Sequence, residues 1–140
     1  MLADKKAQII PVQELLSEKL VIPKYQRPYK WTKKNIDDLL GDIEKAISDK
    51  EKYDASFRYR IGTVILHDTN DGKYSIVDGQ QRIISLALLC QVLGKSEFCK
   101  SINNPTDDSE TKLALNNKIS QKNMNDNFDV INDWFISRQN

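Results

Sequence analysis

Ile36, Leu39, Leu40, Ile43 and Ile47 recur at the spacing of one helical face and predict an amphipathic helix over 33–49. Thr32 can cap this helix, and Asp37 and Asp38 sit close to its amino end, where the helix dipole favours acids. Upstream, Leu15 and Leu16 face inward from a short helix over 12–19, and Leu20-Val21-Ile22 forms a short apolar strand. Pro23 and Pro28 then forbid a helix through 23–31, and the residue before each proline is pushed to extended geometry. In an extended chain Tyr25, Arg27, Tyr29 and Trp31 share one face, while Lys24, Gln26 and Lys30 share the other.

A charged loop over 49–58 leads to a hairpin whose strands are 60–67 and 73–78. Between them Asp68-Thr69-Asn70-Asp71-Gly72 supplies turn chemistry, with Gly72 suited to a left-handed position. From Gln80 to Leu93 the chain is apolar on nearly every side, which predicts a central helix covered on most faces and ending at Gly94. A polar loop over 95–110 and one or two helices follow. The last helix, about 125–138, carries Phe128, Ile131, Trp134 and Phe135 up to the end of the sequence, and so predicts a longer helical region of which this is the beginning. The fold class is α+β: a small mixed sheet flanked by helices 33–49 and 80–93, with a helical tail.

Composition narrows the function classes. A length of 140 residues, 39% hydrophobic and 29% charged, is that of one ordered globular domain. Twenty-one basic and twenty acidic residues nearly cancel, so any surface for nucleic acid is a local patch. No signal peptide or membrane-length apolar run is present, and a cytoplasmic location is the expectation. Cys90, inside the apolar helix, reads as a buried free thiol in a reducing compartment; Cys99 is the other cysteine.

Candidate chemistry concentrates at Asp78-Gly79-Gln80-Gln81-Arg82, where a strand turns into a helix. Asp78 as N-cap with Gln81 three residues on makes a capping box, and Gly79 allows the tight entry. Helix initiation accounts for those three residues and leaves Gln80 and Arg82 unexplained. A first-turn arginine is set against the dipole, and a cation placed where backbone amides already attract anions describes a phosphate site. The competing reading for Arg82 is an ion pair with Asp38 or Asp42. A second polar set lies in 25–31: Arg27 can meet a phosphate in bidentate fashion, Gln26 can hydrogen-bond, and Tyr25 or Trp31 can stack on a base. For Tyr29 and Trp31 a core role is preferred.

Ile22-Pro-x-Tyr-Gln-Arg-x-Tyr-x-Trp31 and Ile76-Val-Asp-Gly-Gln-Gln-Arg82, separated by a helix and a strand bearing Gly62, together resemble the amino-terminal domain of the GmrSD-type restriction endonucleases, a ParB/sulfiredoxin-like fold. The resemblance covers 8–94 and divides the chain into a ParB-like nucleotide-handling domain, 1–94, and a helical extension, 95–140. It implies a regulatory domain of a DNA restriction or phage-defence protein that binds, and by kinship hydrolyses, a nucleoside triphosphate, with or without Mg²⁺. Gln26, Arg27, Gly79, Gln80 and Arg82 would then bind the nucleotide, with Arg27 and Arg82 on its phosphates. Asp78 and Gln81 would be catalytic, and Lys24 and Lys30 would contact DNA. The implied partners are a nucleotide, DNA and a nuclease domain or subunit outside this chain.

A His-Asn-His nuclease cannot be assembled from a single histidine, His67, and no Cys/His metal cluster or Walker loop is present. Glu110-Thr111-Lys112 fits the Glu-x-Lys half of another nuclease pattern, a match that three residues make readily by chance. Two other readings remain: a DNA-binding or modification-sensing module without hydrolysis, and an interaction scaffold whose motifs are structural.

Overall fold

The computed structural model describes residues 7–53, 58–95 and 109–139. Cys99 and most of the polar loop expected over 95–110 lie outside them. Helix α1 (Val12–Ser17) turns Leu15 and Leu16 into the core and leads to strand β1 (Leu20–Val21). Helix α2 (Lys33–Tyr53) is followed by the hairpin of β2 (Ile65–Asp68) and β3 (Tyr74–Asp78). Then come α3 (Gln80–Val92), α4 (Ser109–Leu115) and α5 (Lys118–Ile136). The three strands form one mixed sheet in the order β1-β3-β2, with β1 parallel and β2 antiparallel to β3. The expected α+β class is the observed one.

Each departure from the expected boundaries has a local cause. Helix α2 runs on to Tyr53 because Lys45 pairs with Asp49 at 2.8 Å one turn apart and the residues that follow are strong helix formers. Its apolar face outlasts its packing, since Ile47 is 57% exposed. Asp37 and Asp38 lie beyond the first turn and pair instead with Lys33 (2.7 Å) and Lys34 (2.9 Å). At the helix start Asn35 Oδ1 accepts from the Thr32 amide at 2.9 Å. Strand β2 begins at Ile65 rather than Arg60; ahead of it Gly62 lies against Arg82 and Val64 against Gly79. The hairpin turn is as expected, with Gly72 at φ 84° and Asp68 Oδ1 accepting from the Asn70 amide at 2.8 Å. Helix α5 starts at Lys118, not near 125, because Asn117 Oδ1 accepts from the amides of Ile119 (2.8 Å) and Ser120 (3.4 Å).

Helix α3 is the centre. Ile83, Ile84, Leu86, Ala87 and Leu88 are all buried, in one core with Leu16, Leu20, Ile22, Ile36, Leu40, Ile76, Leu115 and Ile131. Helix α5 lies against both α3 and α2, so the tail closes the same core. At its far end Trp134 packs edge-on against Phe135, and Arg138 stacks over Trp134 at 3.6 Å while pairing with Glu44 at 3.1 Å.

Residues 23–32 form a strap rather than one extended run. The Gln26 amide donates to Pro23 O at 3.1 Å, a turn that breaks the alternation. Tyr25 is therefore 78% exposed while Tyr29 is wholly buried. The Tyr29 hydroxyl lies 2.7 Å from Ser85 Oγ and accepts from Asn127 Nδ2 at 2.9 Å. Burial raises its pKa above the ordinary 10.0, partly offset by the bonds to Ser85 and Asn127.

Two outcomes follow for Tyr29→Phe. Near pH 8, loss of the hydroxyl should cost about 1–3 kcal/mol in urea unfolding, because Ser85 loses a buried partner. The raised pKa means that folded Tyr29 keeps its proton where the unfolded chain loses it. Its contribution is full below pH 10 and declines as pH rises toward the folded value. The stability gap between wild type and variant should narrow by about pH 11; an unchanged gap would contradict the raised pKa.

Candidate functional site

The strap makes almost no strand ladder, so its peptide groups must find other partners. Side-chain amides supply them. From the first turn of α3, Gln80 Nε2 donates to Arg27 O at 2.8 Å. Gln81 spans two residues on, its Nε2 donating to Pro28 O at 3.2 Å and its Oε1 accepting from the Lys30 amide at 2.7 Å. From α5, Ser120 Oγ accepts from the Tyr29 amide at 2.9 Å and Asn123 Nδ2 donates to Tyr29 O at 2.9 Å. Asn127 Nδ2 also donates to Trp31 O at 2.8 Å. Gln26 ties the strap to the sheet, its Nε2 donating to the carbonyls of Ile76 and Val77 at 3.1 Å each.

The expected capping box does not form. Strand β3 runs to Asp78, which is still paired with Ile65, and α3 begins immediately after Gly79. Gly79, at φ 97° and ψ 10°, is the N-cap, and no side chain caps the helix. Gln81, expected both in the box and in catalysis, is 9% exposed with both ends of its amide committed to the strap. Its geometry is that of a holding residue. Among the described residues no side chain caps the first-turn amides of α3, the groups that attract an anion at a helix start.

Gln26, Arg27, Trp31, Asp78, Gly79, Gln80, Gln81 and Arg82 line one open cleft of about 170 Å³ between strap and junction. The two sequence motifs, far apart in the chain, therefore meet. Arg27 and Asp78 are exposed, Trp31 and Arg82 half-buried, and the glutamines form the floor. Among the described residues no hydrogen bond or ion pair holds the Arg82 guanidinium. Asp38 is paired with Lys34, and among the described residues neither Asp38 nor Asp42 pairs with Arg82. The guanidinium instead lies against Gly62, where an added Cβ would sit 2.8 Å from Cζ. Lys24 and Lys30 are exposed on the strap outside the cleft.

The chain matches the family described as GmrSD restriction endonuclease, N-terminal domain, over residues 12–139. It belongs to that family. That places it among the domains of restriction and phage-defence proteins. Comparison with curated proteins and with solved structures gives no match. The GmrSD match extends past the 8–94 expected from the motifs and takes in α5, which supplies Ser120, Asn123 and Asn127 to the strap.

Sequence reasoning missed these three α5 residues; the polar positions on that helix were the available signal. It also missed Thr111, the centre of the Glu-x-Lys triplet. Thr111 is buried and its Oγ1 accepts from the Ile22 amide at 3.1 Å, a structural task at the start of the strap. Among the described residues of this GmrSD domain, no three His, Cys, Asp or Glu converge as a metal site, and no helix is long and apolar enough to cross a membrane. His67 is exposed on β2, and Cys90 is half-buried in α3 rather than fully enclosed.

Gly79 is the position where the site constrains the backbone most. A Cβ there would approach Val64 Cγ1 to 2.6 Å and the Val64 Cα to 3.2 Å, on top of the cost of the left-handed conformation. Gly79→Ala should destabilise the domain by at least about 2 kcal/mol in denaturant unfolding. Wild-type stability would show that the junction is not rigid.

Proposed function

We propose that the cleft binds the phosphates of a nucleotide, and that this binding regulates a nuclease lying outside this chain. The observation that carries the reading is Arg82. It is a first-turn cation with no ion pair among the described residues, held against Gly62 beside an uncapped helix start and facing the same cleft as Arg27. Two guanidiniums beside the uncapped start of α3 form a donor array suited to phosphate oxygens. The exposed carboxylate of Asp78 leaves the lining with net positive charge.

In this reading Arg27 and Arg82 take phosphate oxygens, Gly79 lets the backbone come close, and Gln26, Gln80 and Gln81 keep the strap in place. Trp31 offers a ring face to a base. Asp78 is the carboxylate of the lining, and one carboxylate with substrate phosphates suffices for a Mg²⁺ that arrives with the nucleotide. Turnover would consist of water attack on the terminal phosphorus with cleavage of its bridging P–O bond, the water oriented by Asp78 and its proton passing to solvent. The resemblance of the two motifs to a ParB-like fold supports this step.

The arrangement of Lys24, Arg27 and Lys30, all exposed along the strap, favours a second reading in which the same face contacts DNA phosphates. Both activities suit a restriction protein, and they separate by experiment. Calorimetric titration with nucleoside triphosphates, with and without Mg²⁺, should show binding that falls at least about tenfold in Arg82→Ala while the melting temperature holds. Unchanged affinity in a folded Arg82→Ala protein would overturn the nucleotide reading. For DNA, Lys24→Ala and Lys30→Ala should each weaken binding at low salt and flatten its salt dependence by about one unit of log–log slope. Duplex binding that ignores both would remove the second reading.

A further inference from the structure

We infer that the cleft takes a nucleoside phosphate in preference to a bare polyphosphate, because a hydrogen-bond donor on the nucleoside meets Oε1 of Gln80. This rests on the nucleotide reading above and sharpens it to a specificity-determining residue.

Gln80 lines the cleft yet is only 6% exposed. Its Nε2 donates to Arg27 O at 2.8 Å, which fixes the orientation of the carboxamide. The flipped amide would set two acceptor oxygens against each other. Oε1 is therefore an acceptor by geometry, and among the described residues it is the buried side-chain atom that lacks a partner. Buried polar groups are nearly always satisfied, so an exception beside an open cleft points to what the cleft receives.

The remaining chemistry of the lining narrows the choice. Arg27 and Arg82, on the same lining beside the uncapped start of α3, are donors suited to an anion. Ionised phosphate oxygens are acceptors and cannot meet Oε1. The missing partner must be an O–H or N–H, and in a nucleotide those belong to the ribose hydroxyls or the edge of the base. A cleft of about 170 Å³ is smaller than a whole-ligand pocket, so it encloses a phosphate with its neighbouring group and leaves the rest outside. Trp31 on the same lining provides the face on which a base adjoining that donor stacks. A site built to accept from a donor rejects ligands lacking one, since its own buried acceptor then stays unmet.

The test is a calorimetric series on the whole chain with the four ribonucleoside triphosphates, their 2′-deoxy and 3′-deoxy forms, and inorganic tripolyphosphate. At least one nucleotide should bind about tenfold or more tightly than tripolyphosphate, a difference of about 1.4 kcal/mol. Gln80→Met, which removes the acceptor, should bring the two to near-equal affinity. That ratio is insensitive to a uniform loss caused by a loosened strap, and if Gln80→Met does not fold the wild-type series still decides. Arg82→Ala should weaken nucleotide and tripolyphosphate together. Tripolyphosphate binding as tightly as every nucleotide would overturn the inference and leave the phosphate site standing, Oε1 then being met by water. A preference that persists in Gln80→Met would assign discrimination to another residue and also overturn it. Absence of binding by any of these ligands would overturn both readings.

Discussion

The structure depends on how an extended strap without strand partners satisfies its peptide groups. Between Pro23 and Thr32 the backbone lies outside the sheet with Pro23 and Tyr29 buried, and an amide or carbonyl left unpaired against the body of the domain is costly. Carboxamides and hydroxyls from α3 and α5 meet those groups one by one: Gln80 at Arg27, Gln81 at Pro28 and Lys30, Ser120 and Asn123 at Tyr29, and Asn127 at Trp31. Carboxamides suit this task because each carries donors and an acceptor on a short planar group. The buried Tyr29 ring and its hydroxyl, held between Ser85 and Asn127, fix the middle of the strap.

The cleft is a consequence of that fastening. Once the strap is tied to the first turn of α3, Arg27 and Trp31 are held beside the β3–α3 junction, and Gly79 brings the helix start close against Val64. Asp78 remains in the sheet, and among the described residues no side chain caps α3. Commitment to the strap thus differs from residue to residue within one short motif. Gln81 is wholly occupied by the strap, Gln80 by one end of its amide, and Arg82 by neither. The tail shares in this arrangement, because α5 grips the same strap from the opposite side. A displacement of the strap would therefore bear directly on α5.

Much of the fold was legible in the residues. The apolar face of α2, the turn chemistry before β3 and the all-round apolar run of α3 each carry a strong local signal, and all three elements are present. Boundaries were less legible where polar residues carried the element, as in the last turns of α2 and the first of α5. The alternation expected for Tyr25 through Trp31 failed because a single bond from Gln26 to Pro23 turns the chain. The site was legible as a pair of motifs. Its division of labour was not: Gln81 looked like a capping residue and Gln80 like a ligand residue, while both have their first partners in backbone more than fifty positions away.

By itself, then, the chain determined its secondary elements, its family and the set of residues that gather at the junction, because periodicity, turn chemistry and motif spacing are local properties. Only the tertiary structure decided which of those polar groups are already spent. A glutamine's hydrogen-bond partners depend on which backbone passes within about 3 Å of it, and no local pattern encodes that. Three residues of the five, Asp78, Gly79 and Gln81, had seemed explained by helix initiation. In the folded chain Asp78 ends a strand, Gly79 alone starts the helix, Gln81 fastens the strap, and Arg82 is left facing the cleft.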